Sequence, residues 1–167
     1  VRAAEIAGRN GASLTVVENV QMALISADHK LYSMWRPAAA HKRVQAVELL
    51  DQVGMAAQAD RPCSVLAYGD VKRVELAIAM ANQPKLLLLD EPTAGMSPEE
   101  THRMTELLLG LPRTVTLLII EHDMDVVFSL ADRITVLHYG EVLADGTPDA
   151  VRADPRVYEV YLGTGDE

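Results

Sequence analysis

A chain of 167 residues is long enough to bury a core and sits in the size range of one domain, which a lobe can extend. With 49% apolar and 23% charged residues it is neither a disordered nor a fibrous sequence. Its formal net charge of -9, with acids spread along the whole chain, leaves no basic footprint for DNA or RNA.

The single cysteine, Cys63, excludes an internal disulfide and a multi-cysteine metal site, fits a reducing compartment and reads as a small buried apolar residue. The longest purely apolar stretches, 86–89 and 117–120, fall far short of the roughly 18 residues of a membrane-spanning helix. Membrane contact is therefore expected through a partner. The start, Val1-Arg2-Ala3-Ala4-Glu5, has neither an initiator Met nor a signal pattern, and reads as the middle of a longer protein.

In chain order, residues 1–13 are small and polar and show no clear periodicity, so 1–14 is left unassigned. Apolar residues at helical spacing predict helices over 15–30 and 38–53, with Val44, Val47, Leu50 and Val53 on one face of the second. Pro37 suits that helix's first turn. These helices make a helical lobe, bounded at residue 68. After Gly69 a helix is predicted over 71–81, stopped by Pro84.

The four leucines 86–89, bounded by Pro84 and Pro92, predict a central strand of a parallel sheet covered by helices. Ser97 and Glu100 form a capping box around Pro98, opening a helix to about Leu111. Residues 114–120 predict a second buried strand, so strand, helix and strand make a right-handed parallel crossover. A helix over 123–131 follows. A hairpin turning at Tyr139-Gly140 comes next, and Thr147-Pro148 and Asp154-Pro155 start two short closing helices. The resulting domains are the lobe at 15–68, an α/β core at 69–146 and C-terminal helices at 147–167.

Three places carry chemistry. Asp90-Glu91-Pro92 puts two carboxylates at the carboxyl end of a parallel strand, where open α/β sheets bind ligands. There the first acid can hold Mg²⁺, usually through water, and the second can orient an attacking water, although acids before proline also end strands as a plain polar turn. Leu66-Ala67-Tyr68-Gly69-Asp70 opens a helix whose backbone N–H groups form an anion site, or is an ordinary glycine-containing helix start. His122 follows the second strand and could hydrogen-bond a terminal phosphate, or simply meet solvent. His29, His41, His102 and His138 read as surface or packing residues.

Taken in order, Leu66 to Asp70, Leu86 to Glu91, Ala94-Gly95-Met96-Ser97-Pro98 and Ile120-Glu121-His122-Asp123 resemble the signature, Walker B, D-loop and switch-histidine motifs of the ABC ATPase family. The wording Leu-Ala-Tyr-Gly, Ala-Gly-Met-Ser-Pro and Val160-Tyr161-Leu162-Gly163 is most similar to ATP-binding subunits of branched-chain amino acid importers. The resemblance implies a P-loop NTPase-like parallel core, here incomplete, with a helical lobe and a small C-terminal hairpin plus short helices.

It further implies ATP and Mg²⁺ as cofactors, with Asp90 placing the metal, Glu91 polarising the hydrolytic water and His122 contacting the γ-phosphate. Leu66, Ala67, Tyr68, Gly69 and Asp70 would close over a nucleotide held by the opposite subunit of a head-to-tail dimer. Arg73 and Lys72 would add positive charge there, Lys72 also reading as a solvated helical face. Permease subunits would dock on the lobe, and indirectly a periplasmic or extracellular substrate-binding protein, putting the chain at the cytoplasmic face of the membrane; Tyr32, Met34 and Trp35 in the lobe read equally as anchors of that contact or as local core.

The sequence departs from the family pattern at several positions. No glycine is followed by lysine, so Gly-x-x-x-x-Gly-Lys-Ser/Thr is absent, as are the adenine-stacking aromatic segment and a glutamine in residues 1–13. Ala67 stands where many relatives have serine, Asp70 where glutamine is common, and the D-loop lacks its usual aspartate. The expectation is a truncated ATPase subunit, inactive alone. The alternative is a degenerate subunit that lends only its signature face to a partner.

Overall fold

The computed structural model describes residues 14–27 and 36–162, with side chains from residue 42 onward in the second stretch and up to residue 161. The expected contact residues Tyr32, Met34 and Trp35, together with His29, the side chain of His41 and Gly163, lie outside the described residues. Two compact units divide the chain, residues 1–120 and 121–167.

In the first unit, α1 (Val16–Ala27) and α2 (Arg36–Gln52) form the lobe and pack on each other and on α3 (Tyr68–Met80). α1 opens with a capping box absent from the sequence-based expectations. Thr15 N–H and hydroxyl both donate to Glu18 Oε2 at 2.8 Å, and Glu18 N–H donates back to Thr15 Oγ1. The next orphan donors, Val16 and Val17 N–H, reach the Arg61 and Ala59 carbonyls at 3.0 and 2.8 Å, so the segment leading to α3 straps the start of α1.

The lobe core holds Val16, Val17, Val20, Ala46, Leu50, Val53 and Met55, all essentially buried. Ala46, Leu50 and Val53 set the inward face of α2. Val44, expected on it, is 58% exposed, because the buried stripe runs through Ala46, Leu50 and Val53 at the wider mean spacing of a helix, which a strict three-residue repeat drifts away from. Cys63, expected as a small buried apolar residue, is half-buried. Its Sγ lies 3.2 Å from Asn19 Nδ2, which also donates to the Thr15 carbonyl, and burial pushes the thiol pKa up.

Strand β1 (Leu86–Asp90) pairs in parallel with β2 (Thr116–Ile120), Leu86 opposite Thr116 and Asp90 opposite Ile120. Between them α4 (Pro98–Leu109) starts at the expected capping box. Ser97 N–H and hydroxyl donate to Glu100 Oε2 at 2.9 Å, and Glu100 N–H donates to Ser97 Oγ at 3.3 Å. The covered-sheet expectation fails on one face. Leu87 is buried, but Leu86, Leu88, Leu118 and Ile120 are each more than half exposed, because residues alternate across a strand and only one face of this pair is covered by the chain.

The second unit contains α5 (Met124–Leu130), the antiparallel hairpin β3 (Ile134–His138) and β4 (Glu141–Gly146), then α6 (Pro148–Arg152), α7 (Pro155–Val157) and one wide turn, Tyr158–Leu162. Tyr139 and Gly140 at φ 49° and 82° make the tight turn whose twist matches the strands. Asp123, Thr147 and Asp154 cap the three helices, and Ile134, Val136, Ala144, Val151 and Val157 form the core. Arg156 hydrogen bonds hold the Asp154 carboxyl down to about 2.

Two outcomes follow for stability. Ser97→Ala should lower the unfolding free energy by about 1 kcal/mol in urea titrations, the usual loss for an N-cap. The Glu100 carboxyl is held below its usual 4.5, first by the Ser97 backbone N–H and then by its hydroxyl. A lowered folded pKa stabilises fully above that value and stops doing so as pH falls through the folded pKa. The gap between wild type and Ser97→Ala should therefore narrow as pH drops below 4.5. Separately, Leu88→Thr with Leu118→Thr should reduce apolar dye binding and self-association in sedimentation, with each change altering stability by no more than about 0.5 kcal/mol.

Candidate functional site

Asp90 and Glu91 stand exposed at the carboxyl end of β1. Glu91 adopts φ 45°, a left-handed conformation that costs roughly 1–3 kcal/mol for such a residue and persists only when its surroundings enforce it. Its N–H donates to the Ile120 carbonyl at 2.9 Å, carrying the parallel ladder one residue past the strand, and its carbonyl accepts from Ala94 N–H at 3.2 Å. Pro92 and Thr93 are buried beneath the turn, and Met96 N–H donates to the Thr93 carbonyl. The chain thus reverses sharply, and both acidic residues remain exposed.

An exposed pair of carboxylates can share a hydrated cation. Among the described residues no group of three or more His, Cys, Asp or Glu forms a metal cage. Exposed paired carboxylates instead match Mg²⁺, which keeps several waters and shares its coordination between one or two acids and phosphate oxygens.

The residue 66–70 segment runs extended through Ala67 into α3. Ala67 has no side chain able to cap, so the first N–H groups of α3 have no side-chain acceptor at the N-cap, unlike those of α4, which Ser97 caps. Leu66 is half-buried, Ala67 and Tyr68 are exposed and Gly69 is buried. Both Asp70 carboxylate oxygens are engaged within the chain. Oδ1 accepts from Arg73, and Oδ2 from Gln58 Nε2 at 3.2 Å. Arg73 also reaches the Gly54 carbonyl, so its charge is directed at Asp70 and the lobe loop, while Lys72 lies 5.5 Å over the Tyr68 ring.

The structure brings the 66–70 segment against the 94–100 turn and helix start. The Tyr68 ring lies by Gly95, where an added Cβ would meet Cε1 at 3.8 Å, and the Glu100 carboxylate lies on Gly69. A cleft of about 50 Å³ opens there, lined by Gly69, Asp70, Arg73, Met96, Glu100 and Met104 among others. Glu100 and Gln58 are site residues that sequence reasoning missed. The capping box exposed one role of Glu100, but the contact with Gly69 spans 31 positions and leaves no local pattern.

His122 belongs to the second unit. It is exposed, its N–H donates to Glu121 Oε2 at 3.2 Å, and it directly precedes the Asp123 cap of α5. His102 is exposed and lies 3.4 Å from Glu106, and His138 stacks edge-on with Tyr139 and Tyr161, in keeping with surface and packing roles.

Comparison with known proteins extends the picture. A model of branched-chain amino acid ATP-binding cassette transporters matches residues 141–167. The chain is 40% identical over 163 residues to the high-affinity branched-chain amino acid transport ATP-binding protein LivG of Escherichia coli K12, covering 90% of this chain and 62% of that protein. It is 43% identical over 120 residues to BraF of Pseudomonas aeruginosa, covering 71% and 47%. The ADP conformation of MJ1267, an ATP-binding cassette of an ABC transporter, superposes with a TM-score of 0.74 at 30% identity, covering 90% of this chain and 63% of that one. The chain thus spans less than two thirds of the relatives it matches. An ABC transporter model matches residues 5–94, more than half of the chain, and the protein belongs to that family.

Proposed function

We propose that this chain is part of an ATP-binding, ATP-hydrolysing subunit of an importer for branched-chain amino acids or related small molecules. Family membership implies a nucleotide ligand, and the names of LivG and BraF supply the substrate class. The observation that carries the reading is the strained Glu91 beside Asp90 at the carboxyl end of a parallel strand, since enforced strain of this kind gathers at catalytic positions.

In this reading Asp90 holds Mg²⁺ through water, and Glu91 orients and polarises the attacking water. His122 contacts the γ-phosphate. Residues 66–70 present the uncapped start of α3 to a nucleotide held by a second ATPase subunit. Mg²⁺, when bound, neutralises phosphate charge. Asp70 supports that face by anchoring it, since its oxygens are already engaged. The lobe docks on permease subunits, which a substrate-binding protein feeds from outside. The subunit sits at the cytoplasmic side of the membrane through these permeases; among the described residues no helix is long and apolar enough to cross a membrane.

The 167 residues hold no Gly-Lys pair to cradle phosphates. Phosphoryl transfer rests on positioned donors, and losing even one costs about 10²- to 10³-fold. ATP turnover by this chain should therefore be at least about 10²-fold below that of the same chain extended upstream through a Gly-x-x-x-x-Gly-Lys-Ser/Thr loop, and Glu91→Gln should abolish turnover in the extended form. Turnover in the short chain that vanished with Glu91→Gln would refute the need for the loop. An inactive extended chain that still stimulated a complete partner would favour the non-hydrolysing alternative. Glu91→Gly should raise unfolding stability by about 1 kcal/mol in urea titrations while removing hydrolysis, because glycine adopts φ 45° without strain.

A further inference from the structure

We propose that Glu100 is a positioning residue that locks the 66–70 segment to the 94–98 turn, so that the face offered to a partner's nucleotide is set by the same turn that holds Glu91. The inference rests on the functional reading above and names a residue that reading does not use.

Glu100 divides its two oxygens between two elements. Oε2 receives the Ser97 N–H and hydroxyl, which fixes the carboxylate at the start of α4. Oε1 then stands where a side chain on residue 69 would begin: a Cβ there would lie 2.8 Å from Oε1 and 3.2 Å from Cδ. Gly69 has no left-handed backbone that would itself require glycine. What excludes a larger residue is therefore the Glu100 carboxylate. A free glutamate would swing aside at little cost, but this one must break its capping box to do so.

A second contact runs parallel to the first. Tyr68 packs by Gly95, whose φ of 74° belongs to the turn itself. Short-range hydrogen bonds brace the turn between Glu91 and Glu100. The Glu91 carbonyl takes Ala94 N–H, the Thr93 carbonyl takes Met96 N–H, and Ser97 binds Glu100. A shift at Glu91 therefore reaches Gly69 through short, pinned steps. Asp70 meanwhile ties the same helix start to Gln58 and, through Arg73, to Gly54, which makes it a firm body for Glu100 to press on.

The test combines an unfolding cycle with partner-site turnover. Glycine inside a helix is ordinarily improved by alanine, so the sign of Gly69→Ala is diagnostic. Gly69→Ala should lower Tm by about 3 °C in the wild-type chain, and leave it unchanged or raised in Glu100→Ala. Turnover is read with the chain assembled with an ATPase subunit that has its own phosphate-binding loop. Glu100→Ala should cut kcat about tenfold with KM for ATP changed less than about twofold, as expected of misplaced rather than lost contacts. Glu100→Gln, which preserves capping and shape, should restore most of kcat. Additive Tm shifts would overturn the lock itself. An unchanged kcat in Glu100→Ala, or no rescue by Glu100→Gln, would overturn the positioning role. A wild-type chain that left partner turnover unaltered would overturn the functional reading, and the role with it, while the unfolding cycle alone decides whether the lock exists.

Discussion

The parallel pairing of β1 with β2 is the constraint from which the chemistry of the first unit follows. Parallel strands end on the same side, so pairing Asp90 with Ile120 places the exit of each strand at one edge. The further bond from Glu91 N–H to the Ile120 carbonyl extends the ladder into the turn and holds the acid in a backbone conformation it would not choose. From there the chain has few options. Buried Thr93, left-handed Gly95 and the Ser97 cap aim α4 so that Glu100 meets Gly69.

The start of α3 gives that arrangement its meaning. Most helices end their orphan N–H groups on a side chain, as α4 does with Ser97 and α5 with Asp123. Ala67 cannot do this, and the position keeps donors that water or an anion must satisfy. Acid at Asp70 complements the helix dipole, and its oxygens are taken up by Arg73 and Gln58. An uncapped helix start and an acidic neighbour coexist because both oxygens of the acid are already engaged inside the chain.

Local patterns were legible in the sequence and long-range contacts were not. The Ser97–Glu100 box, the Tyr139-Gly140 turn and the caps at Thr147 and Asp154 depend on residues within a few positions, and the structure contains them as expected, while Asp123, read as the first residue of a helix, turns out to be its cap. The strands 86–89 and 114–120 were legible as strands, but their burial was not, because apolar content says what a strand prefers and only its neighbours decide what covers it. Val44 misled for a related reason, since a valine on a helical stripe reports spacing and not which stripe faces inward. The acids and the 66–70 segment were visible as motifs, whereas the strain at Glu91 and the engagement of Asp70 needed coordinates.

Cys63 has a practical side. It is the chain's single sulfhydryl, its sulfur is held by the Asn19 amide, and partial burial raises its pKa above the usual 9.0. The thiolate is the reactive form, and burial disfavours it here. Maleimide or spin-label reagents should therefore modify it more slowly than a fully exposed cysteine. A second cysteine engineered at an exposed site could then be tagged selectively without first removing the native one, so the lobe keeps its packing while a fluorophore or nitroxide reports from elsewhere in the molecule.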